Sequence, residues 1–337
     1  MLLVRPVTIA DHKEMLALAR EAGIGMTSLP PDPEVLEQKI ARSVASFAGK
    51  PEAAKEESFL FVLEDTGAKK LAGTCGLVAH VGLSRPFYSY KLSTIVQASP
   101  GLKVYSHQRV LHMVNDYTGA TEIGSLFLLP AYRRDGIGKF LSRCRYLMLA
   151  EFPQLFSDVV ISEIRGVQDM GGQSPFYKNL AQHFFQMDFK RADFVNATQG
   201  GQFISDLMPK YPIYVNLLDA RAQAVIGEAH EASKPAVQML EAEGFRHQGY
   251  IDVFDAGPTL QAGRADIRTV RESRRDSLSA IKDVKDAPLY MIASTALPQY
   301  RMALAPLEDN GTGVALSQET AAALQLKKGD TVRYIQA

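Results

Sequence analysis

The stretch that most constrains this chain runs from Glu122 to Met148. Its first part, Ile123 to Leu129, is a short apolar segment closed by Pro130 and reads as a buried strand. Its last part sets Ile137, Phe140, Leu141, Cys144, Leu147 and Met148 at helical spacing. That gives a helix with one apolar face and turns Lys139, Arg143 and Arg145 toward water. Between strand and helix stands Arg133-Arg134-Asp135-Gly136-Ile137-Gly138. Glycines at a helix start let the backbone approach an anion, the unpaired amides of the first turn point at it, and arginines add positive charge. The expected ligand of Arg133, Arg134, Gly136 and Gly138 is therefore a phosphate. The pattern is neither the dinucleotide fingerprint Gly-x-Gly-x-x-Gly nor an ATP-binding loop, because it lacks the Lys-Ser/Thr ending.

A chain of 337 residues exceeds the ~100 to 200 of an ordinary domain, so one large domain with an appendage or two domains are expected. Lys plus Arg and Asp plus Glu both number 37, which argues against a general nucleic-acid binder. No apolar run of ~18 residues is present to cross a bilayer, and the opening apolar stretch is too short for a secretory signal. Cys75 and Cys144 fall in a predicted strand and on the apolar helix face, and read as core residues rather than a disulfide or metal pair. The expectation is a cytoplasmic protein with no metal, no permanently bound cofactor, no nucleic acid and no membrane.

Taken in order, Leu2 to Val7 reads as a strand, followed by a helix to near Gly23 and, after a proline-rich turn, a helix from Glu34 to Phe47. A charged loop from Lys50 to Glu57 leads to strands at 58–63 and 71–81, joined by a hairpin turn. The stretch from Tyr105 to Asn115 fits no pattern. Asp158 to Ile164 reads as a buried strand, and Gly171-Gly172-Gln173-Ser174-Pro175 opens a helix with Phe176, Leu180 and Phe184 at fourfold spacing. Ser233 reads as the cap of a helix ending at Gly244, and strands around one short helix fill the C-terminal part.

Arg-x-x-Gly-x-Gly after a central strand resembles the pyrophosphate loop of the GNAT superfamily of acyl-CoA transferases, and the order of elements through about residue 195 resembles a GNAT domain. Five longer phrases are more particular: Thr27 to Pro30, Glu57 to Phe59, Ser174 to Phe176, Leu207 to Tyr214 and Tyr250 to Leu260. Together they resemble the arginine N-succinyltransferase family, over nearly the whole chain. The resemblance implies an α/β (α+β) protein with a GNAT-like mixed central sheet over 1–195, an elaborated middle region over 196–260 and a small β-rich C-terminal subdomain over 261–337. It implies transfer of a succinyl group from succinyl-CoA to the α-amine of L-arginine, the first step of arginine breakdown by the succinyltransferase route. The family's proton-donor histidine falls on His230 and its succinyl-CoA contact on Leu126. Ornithine or another amine as acceptor, or a non-catalytic subunit binding arginine and CoA, are the alternatives. The partner is expected to be another copy of the chain or a homologous subunit.

Acyl transfer to an amine needs the amine neutral, a donor for the carbonyl oxygen, and a proton for the departing thiolate. At Leu126 only the backbone amide has chemistry to offer, freed by a bulge. His230 stands in a polar setting, and imidazole exchanges protons near neutral pH. Glu122 and Glu163, at strand edges, are candidates for a base or for a bidentate grip on guanidinium. Arg85, or Lys91, is the candidate cation for the succinyl carboxylate. Tyr177, His80 and His183 read as packing or surface residues.

Overall fold

The computed structural model describes residues 1–23, 26, 28–49 and 56–337. The charged loop read from Lys50 lies, up to residue 55, outside the described residues, as does Thr27. β1 (Leu2–Pro6) is followed by α1 (His12–Ala22), α2 (Pro33–Ala48) and the antiparallel pair β2 (Ser58–Asp65) and β3 (Lys70–Val78). Asp32 starts α2 by accepting the Val35 N–H at 3.0 Å, with Pro33 pre-set at the first helical position. β4 (Ser89–Ser99) and β5 (Val104–Val114) form a long hairpin, then come β6 (Thr121–Leu128), α3 (Ile137–Glu151) and β7 (Val159–Glu163). The unassigned stretch is thus β5. Most of its outer half is exposed on both faces, so it carries no alternation for the sequence to show.

Short helices follow: α4 (Pro175–Asn179), α5 (Ala181–Phe185), α6 (Phe189–Gln199) and α7 (Gln202–Leu207). The single helix expected after Pro175 is broken at Leu180, whose φ of −127° and ψ of −78° leave helical space. The break rotates the following turn, so Phe185 is buried and Phe184 exposed. β8 (Ile213–Tyr214), α8 (Ala220–Ala224), α9 (Lys234–Glu243), β9 (Arg246–Ile251), β10 (Pro258–Gly263) and α10 (Arg268–Glu272) complete the middle. The C-terminal part is β-rich, as expected: β11 (Arg274–Ile281), β12 (Leu289–Ser294), β13 (Met302–Pro306), β14 (Glu308–Asp309), β15 (Val314–Leu316), α11 (Gln318–Ala323) and β16 (Thr331–Gln336).

Sixteen strands join in one mixed sheet in the order β14-β15-β11-β16-β12-β13-β1-β2-β3-β6-β7-β10-β9-β4-β5-β8. The parallel pairs are β6 with β7 and β11 with β15. β1 lies between β2 and β13, so the C-terminal strands continue the N-terminal sheet. α1 and α2 pack on one face through Met15, Leu18, Leu36 and Ile40. α3 packs on the other through Phe140, Leu141, Cys144 and Leu147. Cys75 and Cys144 are both free and buried, and the Cys75 thiol donates to the Leu141 carbonyl at 3.4 Å.

The expectation that Arg143 and Arg145 face water is wrong. They are 1% and 2% exposed, and α3 is buried on every side from Phe140 to Leu149. The reason is tertiary: Arg143 meets Glu243 of α9 and the Gln336 carbonyl of β16, while Arg145 reaches back toward the sheet. An amphipathic pattern describes a helix with one covered face, and this one has two.

Candidate active site

The site begins with an irregularity in β6. Gly76 faces Gly124 and Thr74 faces Phe127, so Ser125 and Leu126 together stand opposite Cys75. That is a β-bulge, with Ser125 at a φ of 51°. A left-handed residue with a side chain costs on the order of 1 kcal/mol, and Ser28 holds it there. The Ser125 N–H donates to Ser28 Oγ at 3.1 Å, and Ser125 Oγ donates to the Ser28 carbonyl at 3.2 Å. On its other side β6 pairs with β7 only at Thr121 with Val160 and Glu122 with Ile161. One residue further on, the Ser162 hydroxyl reaches the Ile123 carbonyl at 3.1 Å, and no strand pairing continues. The β7-side edge of β6, across the strand from the bulge, is thereby open to a ligand beyond Ile123.

Past β6 the arginine-glycine turn leads into α3. Arg133 Nε donates to the Leu128 carbonyl at 2.9 Å, and its guanidinium lies 5.6 Å from the Phe127 ring centre. Arg134 is exposed, 3.7 Å from Asp135. Gly136 caps the helix at a φ of 74°, and a Cβ there would touch nothing within 4 Å, so backbone angle rather than crowding calls for glycine. Among the described residues, the amides of Gly138 and Lys139 have no backbone acceptor. They are the free donors of a helix start, where an anion is favoured.

Glu122 and Glu163 stand on the two strands that part. Among the described residues neither carboxylate accepts a hydrogen bond. Burial, then Asp252, Glu122 and Asp255, push the Glu163 carboxyl well above the ordinary range. Burial also raises Glu122, against the opposing pull of Lys39. Asp252 and Asp255 are occupied by backbone: Asp252 accepts the Phe254 and Asp255 amides, and Asp255 accepts those of Gly166 and Gly257. The turn that carries them fits tightly, since a Cβ on Gly257 would lie 2.0 Å from the Ile164 carbonyl.

His230 reaches this place through its backbone. Ala229 bridges Gly166, and the His230 N–H donates to the Arg165 carbonyl at 2.9 Å, two residues beyond Glu163. The Ala232 amide donates to His230 Nδ1 at 3.1 Å, which leaves the proton of the neutral ring on Nε2. Burial, then Arg165, lower its pKa against the pull of Glu231, so the ring is neutral at pH 7. Ser233, read as the helix cap, makes no capping bond, and His230 caps the turn just before it.

Bulge and both glutamates thus stand on the strands that part, the phosphate turn follows β6, and His230 is tied by its backbone two residues beyond Glu163. Arg85 does not join them: it is exposed against the Gly200 turn, where a Cβ on Gly200 would lie 2.7 Å from its Cδ. Lys91 donates to the Gln248 carbonyl at 2.5 Å and covers the Tyr250 ring. Tyr177 is buried packing, its hydroxyl on the Met187 carbonyl. Ser28, Lys39, Asp252 and Asp255 were missed. No spacing in the sequence marks them, because a polar turn and a helix surface look alike whether or not a site lies beneath. Among the described residues no cluster of three or more metal-binding side chains occurs, and no helix is long and apolar enough to cross a membrane.

A bulged central strand that runs into a helix start with free amides suits an acyltransferase. The chain belongs to the arginine N-succinyltransferase family. The model of the arginine N-succinyltransferase beta subunit matches residues 2–269, and that of its C-terminal domain matches 274–336. The arginine N-succinyltransferase of Yersinia enterocolitica is 40% identical over 99% of this chain and 97% of its own length. That of Escherichia coli strain 55989 is 39% identical over the same shares. The solved structure of arginine/ornithine succinyltransferase subunit AI from Pseudomonas aeruginosa superposes with a TM-score of 0.90 at 35% identity, covering 100% of this chain and 98% of that one.

Proposed function

We propose that this protein transfers the succinyl group of succinyl-CoA to the α-amine of L-arginine, releasing Nα-succinylarginine and CoA. The observation that carries the reading is the Ser125–Leu126 bulge on the strand that runs into the phosphate turn. Arg133, Arg134, Gly136 and Gly138 take the diphosphate of CoA, which aims the thioester along the open edge of β6. The Leu126 amide donates to the thioester oxygen as negative charge grows there.

Arginine arrives with its amine protonated. Glu163, whose carboxyl burial and the neighbouring acids push above the ordinary range and so make more basic, takes that proton in its ionised form, and Glu122 offers a carboxylate to the guanidinium. The freed amine attacks the carbonyl carbon directly, with no acylated enzyme, and most of the acceleration comes from holding the two reactants together. As the tetrahedral adduct collapses, the C–S bond breaks and the His230 Nε2–H hydrogen-bonds the developing thiolate without leaving the ring. The second amine proton passes from nitrogen to that sulfur, giving the CoA thiol. A succinyl-CoA co-substrate, a cytoplasmic setting in keeping with two free buried thiols, and the three-part division at 195 and 260 complete the reading.

Ornithine is the second acceptor to weigh, because the relative of known structure is named for both amino acids and as a subunit. The same name supports pairing with a second copy or a homologous subunit. A thiol-release assay that crosses acyl-CoAs with arginine, ornithine and lysine tests the whole reading. Preference for succinyl-CoA with arginine is expected, and no release with any pair would end it.

A further inference from the structure

The acyl group has a far carboxylate, and neither Arg85 nor Lys91 stands at the bulge to receive it. A different cation does. Lys39, on α2, donates from Nζ to the Ser28 carbonyl at 3.1 Å, the same oxygen that accepts Ser125 Oγ. Among the described residues that carbonyl is its one hydrogen-bond acceptor and no carboxylate makes an ion pair with it, so two of its three N–H groups are unfilled. Glu122, on the adjoining strand, acts on it only through the field. Gly124 adds no side chain to this corner, and the nearest neighbours of a Cβ there would be Glu122 Oε1 and the Ser28 side chain, each 3.8 Å away. The corner therefore combines an ammonium with open N–H groups, a glycine, and a neighbour, Leu126, whose amide is assigned above to the thioester.

We propose that Lys39 receives the distal carboxylate of the acyl group and makes the site select a dicarboxylic acyl-CoA over a simple one. The proposal rests on the succinyl-transfer reading above. With the thioester oxygen on the Leu126 amide, the acyl chain runs back along the bulge toward Ser28, whose carbonyl accepts from both Ser125 and Lys39. A buried ammonium short of acceptors is costly, and a carboxylate supplies charge-assisted bonds to the open N–H groups. Residues that build the corner without charge, Ser28 and Ser125, set its shape. Lys39 sets its preference.

The test compares kcat/KM for succinyl-CoA and for butyryl-CoA, a chain of equal length without the carboxylate, using L-arginine and thiol release. In Lys39→Met the succinyl-to-butyryl ratio should fall roughly 10- to 100-fold, the value of a hydrogen bond to a charged group. Lys39→Gln, which still offers an N–H to Ser28, should lose the ratio as well, and Lys39→Arg should keep most of it. CoA affinity by calorimetry reports that the variants are folded. If Lys39→Met slows both donors equally, or if Lys39→Gln restores the ratio, Lys39 only props Ser28 and the proposal is overturned. A wild-type enzyme indifferent to the two donors would instead remove the succinyl reading, and this proposal with it.

Discussion

Arg143 Nε lies 3.0 Å from Glu243 Oε1, with both side chains almost wholly withdrawn from solvent. Thr269 donates to the same carboxylate through its amide and its hydroxyl, and Arg143 also reaches the Gln336 carbonyl. One pair thus ties α3, which begins at the phosphate turn, to α9, α10 and the last strand. Removing one partner of a buried pair leaves an uncompensated charge. Arg143→Met should destabilise the protein by about 3 to 5 kcal/mol in denaturant unfolding. A loss near zero would mean that the pair is solvated.

Gly136→Ala tests the phosphate turn. Nothing crowds the position, so the cost is the left-handed backbone angle alone, about 1 kcal/mol. The effect should appear as weaker acyl-CoA binding, with turnover at saturation little changed. Turnover lost at unchanged affinity would place this turn outside the cofactor site.

Glu163 couples stability to pH. Its folded pKa is raised above the unfolded value of about 4.3. The stability it contributes is fully present below the unfolded value and is lost as pH climbs through the raised one. Glu163→Gln cannot ionise. Its melting temperature should match wild type at about pH 4 and exceed it increasingly toward neutral pH, while activity falls by about two orders of magnitude or more. Parallel melting curves across that range would show that the carboxyl is not perturbed.

His230 should set an acid limb in the rate. Protonating Nδ1 breaks the bond from the Ala232 amide, so the charged ring sits badly in this structure. Rates should decline only below the ordinary imidazole value of about 6.5. In His230→Gln the limb assigned to this group should vanish, turnover should drop, and CoA binding by calorimetry should persist. Unchanged turnover would remove His230 from the chemistry.

What could be read in advance was what is local. Strand, phosphate turn and helix start lie within Ile123 to Leu141, and turn chemistry and periodicity report such neighbours directly. Glu122 and Glu163 were named at strand ends and His230 through resemblance; the fold sets the two glutamates within each other's field and hangs His230 by its backbone from Arg165. Arg143 was misread because its partners Glu243 and Gln336 stand 100 and 193 positions away in sequence, and Arg145 because it turns back toward the Gly124 carbonyl of the sheet. Lys39 was invisible for the opposite reason: on a helix, a lysine that faces solvent and one that faces a sheet bulge have the same neighbours in sequence. The break at Leu180 was hidden because fourfold spacing of apolar residues does not say whether the helix survives between them.

Because Leu3 pairs with Ala303, the first strand of the chain acquires one of its two neighbours only when the last strands exist. On the ribosome that flank of β1 stays bare until β13 has been made, and a bare flank is a template for a stray partner. The hazard of misassembly therefore belongs to the unfinished polypeptide, and it lasts until Met302–Pro306 emerges.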